Sequence, residues 1–512
     1  MKIRAPFLVF IYIVAANVPF WIASRSMGLL VTGLFNVEVV IIGILSVFLR
    51  RTLVIGLLLV AILLDILRGI NATYMLSPSE MFLSARYIFE SKSVHLSYIV
   101  VISICIALIC LALSLISRGP MSVKERAFVA STLAVFALFC GVADVRAGQT
   151  KILQGDSQFR SYRLTRFPVH SLVMSEWTQR GIKRSIAAGT DALVPSAATR
   201  LARLDTGSAP LGTSATLPNV VLVLVESWGQ SRAADLEAAI VRPYADEGLS
   251  ERYTISQGTV PFHGATLNGE SRELCGSAMG IGLLGASASQ LKRCLPAKMN
   301  GMGYHSMAVH GYSGRMFDRV EWYSRIGFDE SWFREGLQGS GLPICPGPFP
   351  GICDAAASGW IGDRLQKSSD SPQFIYWVTL NSHLPVPISN MVASPPACEG
   401  NPATAQSPAL CSWYQLEFNV HRSVAELAMR ETARPTIFLL VGDHAPPFSS
   451  GKLRDQFSDK VVPYVLLVPK RSETKGVPQG LRSFIGETHS PVAMRTPHSK
   501  KSRSLATASG GQ

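Results

Sequence analysis

No two of the nine cysteines in this chain are spaced as Cys-x-x-Cys, so thiol ligation of zinc ranks below disulfide formation. Internal repeats and long low-complexity tracts are also missing, which sets aside repeat architectures. The formal charge is +13, yet no basic motif interleaved with aromatics accompanies it, and no nucleic-acid partner is expected. Part of the surplus lies between apolar runs and in the tail His498–Arg503. Attraction to anionic lipid headgroups accounts for that placement better. Membrane-length apolar runs are absent after about residue 146, where the sequence reads as an ordinary globular domain.

Before that point such runs dominate. Phe7–Ile22, Leu29–Leu49, Leu53–Leu67, Leu96–Ile116 and Phe128–Ala143 each approach or reach the length of a bilayer crossing. A cleaved signal peptide is disfavoured, because the first run leads into further apolar runs. Lys2 and Arg4, Arg50 and Arg51, and Arg118, Lys124 and Arg126 fall on one side if the amino terminus is cytoplasmic. The expected organisation is a transmembrane anchor of about five helices over 1–146 and a connector along the membrane surface over 147–216. A catalytic domain over 217–470 and a polar basic tail over 471–512 complete it. The expected location is a cell inner membrane, multi-pass, with the catalytic domain on the periplasmic side. Cys105, Cys110 and Cys140 lie in apolar runs, whereas the other six cysteines lie in the exported half. Closeness in sequence pairs Cys275 with Cys294, Cys345 with Cys353, and Cys398 with Cys411, as suits an oxidising compartment.

Two apolar runs in the second half end in potential metal ligands. Asn219–Val225 leads into Glu226-Ser227, and Thr436–Gly442 leads into Asp443-His444. Unbroken apolar runs of this length read as parallel strands buried on both faces. Ligands of an open α/β sheet bind beyond the carboxyl ends of such strands, where Glu226, Asp443 and His444 would converge. Two carboxylates and an imidazole suit one divalent ion, and the donor set leaves manganese and zinc open. Between the two runs lies the Gly-rich stretch Gly258–Glu270, in which Thr266 offers a hydroxyl. A hydroxyl beside a divalent ion loses its proton more readily and can attack phosphorus. Ser271 and Ser277 are the other candidates for that role. Further on come His310, then Phe317-Asp318-Arg319, then Asn381-Ser382-His383. Arginine and imidazoles can hold phosphate oxygens and move protons. Against those roles, His310 could be a core histidine, and Arg319 could pair with Asp318 or Glu321 on the surface.

In this order the motifs resemble the sulfatase-like branch of the alkaline phosphatase superfamily, closest to the lipoteichoic acid synthase type of membrane phosphoglycerol transferases. The resemblance implies an α/β sandwich with a mostly parallel central sheet. It implies metal ligands at Glu226, Thr266, Asp443 and His444, with Thr266 the nucleophile. Phe317 and Arg319 fall on its aromatic-x-Arg substrate element, Phe317 standing where tryptophan is usual, and His383 falls on its Asn-x-His element. His310, Phe317, Arg319 and His383 would bind substrate, with Arg319 and His383 also taking part in catalysis. The implied reaction moves a phosphoglycerol or phosphoethanolamine headgroup from a membrane phospholipid to an envelope glycan or lipid through a phospho-threonine. A sulfatase-like phosphodiesterase or sulfuric ester hydrolase is the alternative. Against sulfate hydrolysis, Glu226-Ser227 and Thr266 stand where typical sulfatases carry paired acids and a maturing cysteine or serine. The tail from Arg471 is polar and basic where the family continues with a helix and strands.

Overall fold

A computed structural model describes residues 35–46, 48–74, 122–149, 193–202, 217–367, 370–386, 407–448 and 451–470, with a few positions between them. Seven strands form its main sheet: β1 (Asn219–Val225), β2 (Tyr253–Pro261), β3 (His305–His310), β4 (Glu330–Trp332), β5 (Gln373–Val378), β6 (Thr436–Gly442) and β7 (Val461–Pro469). Their spatial order is β2-β7-β6-β1-β5-β3-β4. From β6 across to β4 every neighbouring pair is parallel, and only β7 runs the other way, antiparallel to both β6 and β2. The fold is α/β with a mostly parallel central sheet, as the two apolar runs predict.

The strand sequences follow from their place in the sheet. Every residue of β1, β5 and β6 is buried, because both faces of the central strands are covered and alternation has no purpose there. Edge strand β2 has the reverse character, with polar and exposed positions along most of its length. Gly442, the last residue of β6, lies so close to the Trp228 carbonyl that a Cβ would collide with it. A glycine is therefore required where this strand opens into the site.

Four helices matter for the site: α1 (Thr266–Cys275), α2 (Arg319–Arg325), α3 (Asp354–Lys367) and α4 (Pro408–Met429). Helix α1 starts after the extended Ala265 and ends at Gly276, in the left-handed conformation at φ 62°, a common helix stop. Gly269 lets α1 press against Asp443, since a Cβ there would come within 2.8 Å of the Asp443 Cβ. Helix α4 opens with Ser407 accepting from the Leu410 amide and with proline in its first turn, a pre-organised helix start. Disulfides join Cys275 to Cys294, Cys345 to Cys353 and Cys398 to Cys411, the three expected pairs.

Among the described residues, no helix is long and apolar enough to cross a membrane. The runs Leu53–Leu67 and Phe128–Ala143 lie inside helices Arg51–Tyr74 and Val123–Gln149, and Leu29–Leu49 contains helix Val37–Leu45. Phe7–Ile22 and nearly all of Leu96–Ile116 lie outside the described residues. The described helices share a small apolar cluster around Val40, Leu58 and Leu133. Their outer faces remain apolar, with Leu53, Val60, Leu63, Leu138 and Phe139 all exposed.

Candidate functional site

Adjacent parallel strands carry the site residues to one edge of the sheet. Gly442 of β6 pairs with Val225 of β1, so Asp443 and Glu226 emerge side by side. Leu224 pairs with Val378 of β5, and Val378 pairs with His310 of β3. The segment Thr379–His383 and the His310 imidazole therefore leave at the same level. Parallel pairing in register turns four separate stretches of sequence into one row.

Glu226, Asp443 and His444 offer ligand atoms that all lie within 4.8 Å of one another, and all three residues are buried. The His444 Nε2 is 3.6 Å from Glu226 Oε1 and 3.3 Å from Asp443 Oδ2. Its Nδ1 lies 3.0 Å from the Ala445 carbonyl. Only an N–H can make that contact, so neutral His444 carries its proton there and presents a bare Nε2 to the carboxylates. Asp443 Oδ1 accepts from the Ser227 and His444 amides at 2.7 and 2.6 Å, while Oδ2 is buried without a hydrogen bond. Burial, helped by the Glu226 charge, pushes the Asp443 carboxyl well above its ordinary range. For Glu226 burial acts upward as well, yet the group is held below its ordinary range, with the Ser227 and Thr266 hydroxyls donating to its two oxygens. Two buried carboxylates, an orphaned oxygen and a bare imidazole nitrogen are a donor set that a divalent cation satisfies.

Thr266 is the first residue of α1, and its Oγ1 donates to Glu226 Oε2 at 3.1 Å. The amides of a helix N-terminus surround it, an environment that favours an anion. The two rival hydroxyls are differently placed. Ser271 Oγ is buried and donates to the Asn268 and Ser277 carbonyls, and Ser277 is fully buried.

His310 and His383 carry the same device as His444. Nδ1 of His310 contacts the Val378 carbonyl at 3.1 Å, and Nδ1 of His383 contacts the Leu384 carbonyl at 2.8 Å. Burial and then Arg319 press His310 down to about 3. Burial also lowers His383, against the pull of Glu226. Both rings are thus held neutral with Nε2 available. His310 is a core histidine by burial, yet its place at the strand end puts it in the row.

Arg319 is 3% exposed, and its partner is neither Asp318 nor Glu321. It donates through Nε and Nη2 to Glu270 Oε1 at 3.0 and 2.6 Å. Its guanidinium carbon lies 5.4 Å from the centre of the Phe317 ring, within cation–π range. Phe317, Asp318 and Ser227 are the only non-glycine residues with positive φ among those described. All three adjoin the site, where stored backbone strain commonly collects.

Beyond the Asn381-Ser382-His383 motif, several residues that hold the site carried no signal of their own in sequence. Asp354, the first residue of α3, accepts from the Leu380 and Asn381 amides, and Asn381 Oδ1 accepts from the Asp354 amide. Burial raises the Asp354 carboxyl to about 7. Thr379 Oγ1 accepts from the Glu226 amide, and Ser382 Oγ donates to the Glu226 carbonyl. Phe349, inside the loop closed by Cys345–Cys353, packs edge-on to His383 at 4.6 Å. Glu270, which closes the Gly-rich stretch, could have been singled out, since it lies one helical turn after Thr266.

A family model described as Sulfatase matches residues 218–492, more than half of the 512 residues. The chain belongs to the sulfatase family. The chain is also 25% identical over 241 residues to a protein named for cyclic beta-1,2-glucan modification in Rhizobium meliloti (strain 1021). That match takes in 46% of the chain and spans only 36% of the relative's length. Among solved structures, the lipoteichoic acid synthase LtaP from Listeria monocytogenes is 12% identical with a TM-score of 0.34, over 51% of this chain and 67% of that one. The phosphoglycerol transferase GacH from Streptococcus pyogenes is 14% identical with a TM-score of 0.36, over 49% and 67%. The periplasmic domain of EcEptC from Escherichia coli, in complex with Zn, is 13% identical with a TM-score of 0.33, over 53% and 75%. Scores of this size decide nothing about the reaction of this sulfatase-family chain.

Proposed function

We propose that this chain is a phosphotransferase that moves a phospholipid headgroup, phosphoglycerol or phosphoethanolamine, to an extracytoplasmic glycan or lipid. The observation that carries the reading is the Thr266 hydroxyl, at a helix N-terminus and 3.1 Å from Glu226, beside the buried Glu226–Asp443–His444 cluster. Those three residues and Thr266 would hold one divalent ion, manganese or zinc. When bound, that ion would supply Lewis-acid activation of the hydroxyl and charge neutralisation at phosphorus.

The protein's own groups divide the remaining work. Thr266 Oγ bonds to phosphorus as the bond from phosphorus to the diacylglycerol oxygen breaks. His383, neutral with a bare Nε2, takes the Thr266 proton and returns it to the leaving oxygen. The acceptor hydroxyl then attacks the phospho-threonine, its proton passing by way of His383 back to Thr266 Oγ. The N–H groups of Arg319 and of the α1 N-terminus face the oxygens on which charge develops. His310 and Phe317 line the substrate side.

A multi-pass inner-membrane location with the catalytic domain in the periplasm belongs to the same proposal. It rests on the arginine and lysine placement around the apolar runs, on the exposed apolar helix faces, and on three disulfides that suit an oxidising compartment. The name of the Rhizobium relative accords with a glycan acceptor. Family membership keeps a second reading alive, a phosphodiesterase or sulfuric ester hydrolase that uses water as acceptor. Threonine in the nucleophile position speaks for phosphorus.

The test is incubation of the purified full chain with phospholipid labelled in its headgroup, followed by peptide mass spectrometry. A headgroup phosphate adduct on Thr266 is expected, absent from Thr266→Ala and partly retained by Thr266→Ser. An adduct on Ser271 or Ser277, or an active Thr266→Ala protein, overturns the assignment. Free headgroup without a modified acceptor points to hydrolysis.

A further inference from the structure

Arg319 does not offer a substrate a free positive charge. Two of its N–H groups converge on one oxygen of Glu270, and the Tyr323 hydroxyl donates to the other oxygen at 2.6 Å. Glu270 and Tyr323 are fully buried and Arg319 is nearly so. The ion pair has no net charge, because the guanidinium and the carboxylate cancel. Removal from water keeps that cancellation tight, since little solvent is present to screen either partner. Arg319 Nη1 makes only a long 3.5 Å contact to the Met316 carbonyl. The guanidinium therefore keeps directional donors after giving up its charge.

The pair is built into the element that carries Thr266. Residues 266 and 270 are four apart on α1, so both lie on one face, roughly 6 Å apart along the axis. On the other side, Phe317 and Asp318 take left-handed φ values of 56° and 49° just before α2. The Trp322 indole N–H donates to the Phe317 carbonyl at 3.1 Å and holds that kink. Strain of about 1–3 kcal/mol per such residue persists only where its surroundings over-determine it. Here they deliver Arg319 to Glu270 and, through the rigid turn of α1, key it to Thr266.

We propose that Glu270 is a positioning residue that also sets specificity: by cancelling the charge of Arg319 it matches the site to an ester with one negative charge, and against a phosphate monoester dianion. The inference rests on the phosphoryl-transfer reading above, in which that ester is a phosphodiester. A sulfate ester has the same charge and is separated from it by experiment. A dianion needs one more cation than a diester does, and an uncancelled arginine would supply it. His310, beside Arg319, supplies none because it is held neutral.

The experiment compares the metal-loaded full chain with its Glu270→Gln and Glu270→Asp variants on bis(4-nitrophenyl) phosphate, 4-nitrophenyl phosphate and 4-nitrophenyl sulfate. Turnover gives kcat/KM, and competitive binding of each ester gives its relative affinity. Wild type should favour the singly charged phosphodiester over the monoester. Glu270→Gln should shift the diester-to-monoester ratio by about tenfold or more toward the monoester, the effect of exposing one nearby charge. Glu270→Asp, which keeps the charge, should restore the wild-type ratio even if its rates are lower. A Glu270→Gln protein that loses activity on all three esters in equal proportion, or keeps its ratio, overturns the inference and leaves the lipid-donor reading standing. A wild type that cleaves the small diester but transfers nothing from lipid sinks the donor reading alone. If wild type prefers the sulfate over both phosphates, charge matching survives and the phosphodiester assignment fails. A wild type that neither binds nor cleaves any of the three overturns both.

Discussion

At the scale of single residues, the most exacting group is Asp443. One of its oxygens is satisfied by two backbone amides and the other by none, so the carboxylate is clamped in one orientation and aimed at the cluster. Asp443→Asn keeps an acceptor for the amides but replaces the anionic ligand by a neutral amide. The expected outcome is loss of most bound metal with little change in fold, read by metal analysis alongside circular dichroism. Full occupancy in that variant would put the ion elsewhere. The environment of Glu226 differs in kind. Its two oxygens accept from the Ser227 and Thr266 hydroxyls, which favours the ionised form, so the two carboxylates divide into one held charged and one pushed toward a proton.

At the scale of elements, the link between α3 and the segment after β5 deserves a direct test. Asp354 holds the Leu380 and Asn381 amides, and that segment bears His383. Removing the acceptor in Asp354→Ala leaves two buried amides unpaired, each costing about 1–3 kcal/mol, and should displace His383. Turnover should fall while metal content stays near wild type. The group also makes a pH prediction. Its folded pKa, raised by burial, is about 7 against an ordinary 3.8. Between those values the folded state holds a proton that the unfolded chain has lost, so this contribution to stability is present at low pH and disappears as pH rises through about 7. Wild type should therefore lose stability relative to Asp354→Asn across that window and hold a constant difference above it. Urea unfolding midpoints over the range decide the matter, and a difference that does not change with pH rejects the assignment.

At the scale of the whole molecule, three disulfides join cysteines 19, 8 and 13 positions apart in sequence, all within the stretch that the Sulfatase family model matches. The first joins the end of α1 to Cys294 and so steadies the helix whose other end carries Thr266. Closing a loop of this size restricts the unfolded chain and contributes about 2–4 kcal/mol. Reduction is expected to lower the thermal midpoint by several degrees, roughly as such a loss does in a domain of this size. A thermal melt with and without reductant reads it. An unchanged melt, with thiol labelling showing full reduction, would mean that the core alone carries the domain.

The parallel α/β sheet and the ends of β1 and β6 were legible in the sequence because buried parallel strands must be apolar throughout. The uninterrupted runs Asn219–Val225 and Thr436–Gly442 announce both the strands and the polar residues that stop them. Three disulfide pairs were legible for a similar local reason, since nearby cysteines meet most easily. What the sequence could not contain is strand order. Glu226 and Asp443 are neighbours because β1 and β6 lie side by side, a pairing of segments more than two hundred residues apart. The same holds for Arg319. Its nearest acids along the chain, Asp318 and Glu321, are the obvious partners, yet burial of α2 against α1 gives it Glu270 instead. Sequence determined which side chains could do chemistry. Tertiary packing decided which of them share a charge, because a buried ion takes the partner that geometry brings within hydrogen-bond reach, whatever its distance along the chain.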